Sequence, residues 1–164
     1  FNAVYLRGME PAAFAKVAEP YIRQAVRNPA YDAAAIAALL QARCERLTEI
    51  PEKVDFFDAL PEYPVDFYTN KKSKTNPQVC SRMLQAAIPA LEALTEWTDE
   101  SIHDTLVELA ASLEVKNAKL MWPVRIAAAG KLVTPGGAVE ICRILGRDET
   151  LRRLRSGLGK LTAC

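Results

Sequence analysis

The chain has 164 residues, half of them apolar and a quarter charged, enough for one domain or two small subdomains with a real core. A formal net charge of +1 excludes global attraction to nucleic acid or membrane, and no run nears the roughly 18 apolar residues of a membrane span. The charge is unevenly spread: residues 1–70 carry 7 Lys and Arg against 10 Asp and Glu, and residues 114–164 carry 10 against 4. A basic end of this kind suits either a nucleic-acid-facing surface or a solvated helical one.

The chain opens at Phe1 without a methionine and apparently inside an element, which reads as a fragment of something longer. Residues 1–7 read as the tail of a helix or strand, with Gly8 as its stop. Pro11 fits the first turn of a helix to about Val26, with Phe14, Val17, Tyr21 and Ile22 at helical spacing and a bend expected at Pro20. Asp32 is a good N-cap for the next helix, whose stripe is Ile36, Leu39, Leu40, Cys44 and Leu47. Arg43 and Arg46 would lie near that helix's C-terminal end, where cations suit the dipole. Pro51 opens an acidic–aromatic segment in which Phe56, Phe57, Leu60 and Tyr63 should tuck against the helices.

Residues 65–78 are the most loop-like stretch, with Lys71, Lys72 and Lys74 at a basic tip. A subdomain boundary is placed here, giving subdomains of residues 1–70 and 71–164. Val79 to Leu94 is amphipathic, with a bend expected at Pro89. Thr98 caps a helix burying Ile102, Leu106, Leu109 and Leu113, and Trp97 with Ile102 is placed for a hydrophobic staple. His103 is solitary and off the stripe.

Met121 to Gly146 follows, an apolar run holding one arginine, Arg125, and closed by Gly130 and a Thr-Pro-Gly-Gly turn. A charged residue in such a run needs a partner, either an internal carboxylate or an external ligand. A last helix from about Asp148 turns Leu151, Leu154, Leu158 and Leu161 inward and leaves Arg152, Arg153, Arg155 and Lys160 on its other sides. Six or more helices without an alternating strand make the fold all-α.

Catalytic constellations are missing from this pattern. Gly136-Gly137 is a turn and not a phosphate loop, and a Ser-His-Asp triad would depend on His103. The four dispersed cysteines with one histidine fit small hydrophobes in a reducing compartment better than a zinc site. A binding module is therefore the better class. A helical protein-interaction module with a basic partner-binding face is the competing reading. A small-molecule enzyme using Glu45, Asp55 or Asp58 is a third.

Several segments, in order, resemble the C-terminal anticodon-binding half of bacterial glutamyl-tRNA synthetases. F-N-A-V-Y-L-R resembles the family's junction, R-C-E-R-L-T-E-I-P its R-x-x-x-L-x-E-x-P segment, and K-L-M-W-P-V-R-I-A-A-A-G its run ending in P-L/V-R-x-A-x-x-G. T-P-G-G-A-V-E-I-C-R-I-L-G resembles its closing stretch, with one residue more after Gly136. The resemblance implies a multihelical cage of two subdomains that holds the anticodon loop of tRNA-Glu, in a monomeric cytoplasmic enzyme. It places Arg43 at the reader of the third anticodon base, of the type that accepts tRNA-Glu and rejects tRNA-Gln. Arg46 is the substitute if the register shifts. Arg125 falls at the contact to the other anticodon bases, with Thr134 and Gly136 beside it. Lys71, Lys72, Lys116, Lys119 and Lys131 are the candidates for phosphate contact. ATP and magnesium would belong to a catalytic half whose signatures are absent here, so no cofactor and no charging activity are expected of this stretch alone.

Overall fold

A computed structural model describes residues 3–163 as nine α-helices and two 3-10 turns, with no β-strand among the described residues. Phe1 and Asn2 of the junction segment, and Cys164, lie outside the described residues. No described helix is long and apolar enough to cross a membrane.

The chain divides into two compact units. The first comprises the described residues up to Ala59 together with a short strap, Val133–Gly136. The second comprises Leu60–Leu132 and the described residues from Gly137 on. Residues 60–70, which the loop-based boundary assigned to the first subdomain, thus group with the second unit. The reason is Tyr63 and Tyr68, both buried, whose hydroxyls meet at 2.7 Å in that unit's core.

The first unit holds α1 (Ala3–Gly8), α2 (Pro11–Ala25), α3 (Ala33–Leu40) and α4 (Ile50–Asp58). Helix α2 packs on α3 and α4 through Phe14, Ala18 and Ile22, all fully buried. Asp32 caps α3, its carboxylate accepting from Ala34 N at 2.9 Å. Helix α3 is shorter than its apolar spacing predicts. It stops at Leu40, and residues 41–43 form a turn before a 3-10 turn at Leu47–Glu49. Cys44 and Leu47 are still buried, so the stripe persists after the helix ends. The acidic–aromatic segment is itself helical, as α4, with Phe56 and Phe57 fully buried. Asp58 accepts from the backbone N–H of Arg27 and Asn28 at 3.0 and 3.1 Å, a structural task that occupies one carboxylate of the enzyme reading.

The second unit holds α5 (Pro77–Glu92), α6 (Asp99–Ser112), α7 (Asn117–Ala129), α8 (Ala138–Leu145) and α9 (Arg147–Thr162). Helix α7 is its hub, touching α5, α6, α8 and α9 as well as the 3-10 turn at Val65–Tyr68. Thr98 and Ser101 cap α6 reciprocally, and Asn76 caps α5 through Val79 N. The buried stripe of α6 is Ile102, Leu106 and Ala110, while Leu113 is exposed. Helices α2 and α5 run without interruption through Pro20 and Pro89. Both prolines are exposed, as are Lys16 and Gln85 four residues earlier, whose carbonyls lose a helical partner and can turn to water instead.

Gly157 permits a close helix contact in this unit. A Cβ there would sit 2.5 Å from the Tyr68 hydroxyl and 3.0 Å from Ala127 Cβ, so α9 approaches α7 only because position 157 has no side chain.

Candidate nucleic-acid interface

Arg125 is half-buried on α7, in a helix whose other central members (Val124, Ile126 and Ala127 to Ala129) are fully buried. Its guanidinium meets two backbone carbonyls and an indole. Nη2 donates to Leu132 O at 2.8 Å and Nη1 to Lys131 O at 3.3 Å. The guanidinium also stands over the Trp122 ring, 4.8 Å from its centroid. Burial lowers the pKa of Arg125 by desolvation; a guanidinium nevertheless keeps its charge at any working pH.

This arrangement depends on the chain reversing directly after α7. Gly130 ends the helix in the left-handed region (φ +66°), its N–H returning to Ile126 O at 2.7 Å. A Cβ at that position would meet Tyr63 Cδ1 at 3.0 Å and Pro61 O at 3.2 Å. The reversal brings the carbonyls of residues 131 and 132 back onto the arginine. Leu132 beside it is about half exposed.

In the first unit, Arg43 and Arg46 are exposed and follow the end of α3, so the helix-dipole explanation reaches neither of them, both lying beyond the helix's last turn. Arg43 Nη1 lies 3.5 Å from Thr134 O of the strap, at the long limit for a hydrogen bond. Thr134 is buried, and its hydroxyl donates to Gly136 O at 2.9 Å. Gly136 adopts φ +80° and lies against Leu39, whose Cδ2 a Cβ would approach to 3.0 Å. The structure therefore sets Arg43, Thr134 and Gly136 in one unit, and Arg125 with Lys131 in the other.

Lys71, Lys72 and Lys116 are exposed, and Lys119 and Lys131 half-exposed, all in the second unit. Lys72 and Lys119 line one cavity.

Two residues with central parts escaped sequence reasoning. Trp122, besides carrying Arg125, donates Nε1 to Phe67 O at 2.9 Å; its three-residue spacing from Arg125 on one helix was the available signal. Arg153, expected on the solvated side of α9, is fully buried. It donates Nη1 to Ala128 O at 2.8 Å and Nε to Glu149 at 2.7 Å. It thus meets a carbonyl in the last turn of α7 with a charge already balanced by a carboxylate four residues earlier.

The anticodon binding domain family matches residues 13–158. The chain belongs to that family, a class of helical tRNA-binding domains. Over 160 residues, 98% of the chain, it is 47% identical to a glutamate–tRNA ligase of Clostridium tetani, and 39% identical to one of Clostridium acetobutylicum. It spans about a third of the length of these relatives (33%). A glutamate tRNA ligase of Elizabethkingia meningosepticum, solved with its amino acid, shares the fold with a TM-score of 0.78 at 22% identity, over 98% of this chain and 31% of that one.

Proposed function

We propose that this chain recognises the anticodon loop of tRNA-Glu, as the C-terminal part of a glutamate–tRNA ligase whose remaining part joins glutamate to that tRNA with ATP and magnesium. The parent enzyme is read as a cytoplasmic monomer, and this chain as its RNA-reading part without charging activity of its own. Support for the substrate comes from the 47% identity to a glutamate–tRNA ligase along 98% of the chain. The observation that carries the chemistry is the oriented guanidinium of Arg125, held by two carbonyls and an indole rather than by a carboxylate alone.

An arginine fixed in this way loses little freedom when it meets a base edge. RNA bases in a loop are splayed and offer their edges to such donors, and guanidinium planes also stack on them. Arg43, exposed and beside the Thr134 strap, is assigned to the third anticodon base, with Thr134 and Gly136 shaping the neighbouring backbone.

Charging assays on the full-length enzyme test this reading. Arg125→Ala is expected to lower kcat/KM for tRNA-Glu by a factor equivalent to about 1–3 kcal/mol, the worth of one good bidentate base contact. Arg43→Gln is expected to narrow the preference for tRNA-Glu over tRNA-Gln. Unaltered kcat/KM in the first variant, or unaltered selectivity in the second, removes the respective residue from the site. If the domain binds tRNA-Glu and an unrelated tRNA equally, the anticodon reading falls, and if it binds neither, the protein-interaction reading takes its place.

A further inference from the structure

We infer that the second unit carries a separate socket for one backbone phosphate of the bound RNA, formed where the 70–75 loop faces the α6–α7 connection. A cavity of about 240 Å³ lies there, lined by Lys72, Ser73 and Lys74 on one side and by Glu114, Lys116 and Lys119 on the other. At ~30 Å³ per water that is room for roughly eight waters, enough for a hydrated phosphodiester.

Four lysines and one glutamate leave a net excess of three positive charges around this space. None of the four ammonium groups has a hydrogen-bond or ion-pair partner among the described residues. Elsewhere in the same unit several basic side chains are committed: Arg143 to Asp99, Arg152 and Arg153 to Glu149, Arg155 to Glu92, and Lys160 to Tyr63 O. The charges at this cavity are thus gathered without internal compensation, which favours an external anion.

Both walls are held in place by their own backbones. Across the loop, Asn70 and Thr75 exchange N–H···O bonds at 3.2 and 3.0 Å, Ser73 N donates to Asn70 Oδ1 at 2.8 Å, and Lys74 N donates to Lys71 O at 3.2 Å. Opposite, α6 closes with Val115 N on Ala110 O at 3.0 Å and Glu114 N on Ala111 O at 3.1 Å. The lysine stems therefore project from fixed points, and only the side chains must be ordered when a phosphate enters. The first turn of α7, which no side chain caps, begins on this wall, where Lys119 N donates to Lys116 O at 3.0 Å.

A backbone phosphate carries no sequence information, so the socket's contribution is independent of RNA sequence. It rests on the RNA-binding reading above, but a phosphate contact and a base contact leave different signatures.

The test is binding of labelled tRNA-Glu and of an unrelated tRNA to this chain, followed by fluorescence anisotropy across a salt series. The variants are Lys72→Gln with Lys74→Gln, Lys116→Gln with Lys119→Gln, and all four together, with Lys16→Gln as an exposed control in the first unit. Each pair should reduce the slope of log affinity against log salt by about 0.7–0.9, the value for one phosphate, and equally for both tRNAs. The quadruple variant should fall no further than either pair, because both walls hold the same phosphate. Unchanged slopes, slopes that add across the four lysines, an equal effect from Lys16→Gln, or no RNA binding by the unaltered chain would each overturn the socket. Equal affinity for the two tRNAs together with the expected slopes would retain the socket and refute the anticodon reading instead.

Discussion

The Arg125 guanidinium lies 4.8 Å from the centre of the Trp122 ring while its Nη2 donates to Leu132 O at 2.8 Å. The indole is in turn fixed by its own hydrogen bond to Phe67 O. The orientation of the arginine is therefore set by a neighbour one helical turn away as well as by the reversed chain beyond Gly130.

Trp122→Phe should keep the ring beneath the guanidinium and retain most RNA affinity. Trp122→Leu should lose about 0.5–1 kcal/mol of binding, the range of a partly exposed cation–π contact. Both variants leave Phe67 O without its indole donor, so both should cost about 1 kcal/mol in folding stability. Denaturant melts and RNA titrations on the two proteins separate the effects.

Arg153 and Arg125 should part company under mutation. Arg153→Met removes a fully buried cation and strands Ala128 O, with an expected loss of about 2–4 kcal/mol in stability. Arg125→Ala should weaken RNA binding far more than it lowers the melting midpoint. Urea midpoints for the two variants, with an unchanged m-value, check the contrast.

Glu149 accepts from Arg152 and Arg153 together, and chiefly the Arg152 hydrogen bond, then that of Arg153, pulls its pKa down to about 2. The folded carboxyl thus holds its proton less tightly than the unfolded one. Its stabilisation is present in full above the unfolded value near 4.5 and fades as pH falls towards 2. Because Arg152 is largely exposed, the contribution is about 1–2 kcal/mol. Glu149→Gln should therefore be less stable than the parent at pH 6, and the gap should close on acidification, as measured by urea melts across that range.

Gly157→Ala should cost about 1–3 kcal/mol, since the added methyl would overlap the Tyr68 hydroxyl and press on Ala127. Thermal denaturation reads the loss. Gly159→Ala on the same helix meets nothing within 4 Å and should leave stability unchanged or slightly raised.

The local devices of this fold are legible in the sequence. Asp32 and Thr98 cap their helices as their side-chain chemistry implies, and Pro11 opens α2. What failed was inference from burial to helix. Cys44 and Leu47 continue the apolar stripe of α3, yet the backbone has already turned at residues 41–43. Burial records what a side chain touches and not the backbone that delivers it. The fate of Arg153 was hidden for a related reason: its acceptor, Ala128 O, belongs to a helix 25 residues away. The two carbonyls that meet Arg125 lay within seven residues, but every sequence offers carbonyls everywhere. Only the reversal at Gly130 singles out those two.

Cys44 lies in the first unit, and Cys80 and Cys142 in the second; all three are free thiols shut away from solvent. Burial pushes each upward in pKa, Cys80 and Cys142 to about 12, so almost no thiolate is available while the fold is closed. A disulfide reagent can react with them only through an opening event. With Cys164 replaced, the chain carries one chemical clock in its first unit and two in its second, and the labelling rates would time how often each unit opens by itself, and whether RNA slows one of them or both.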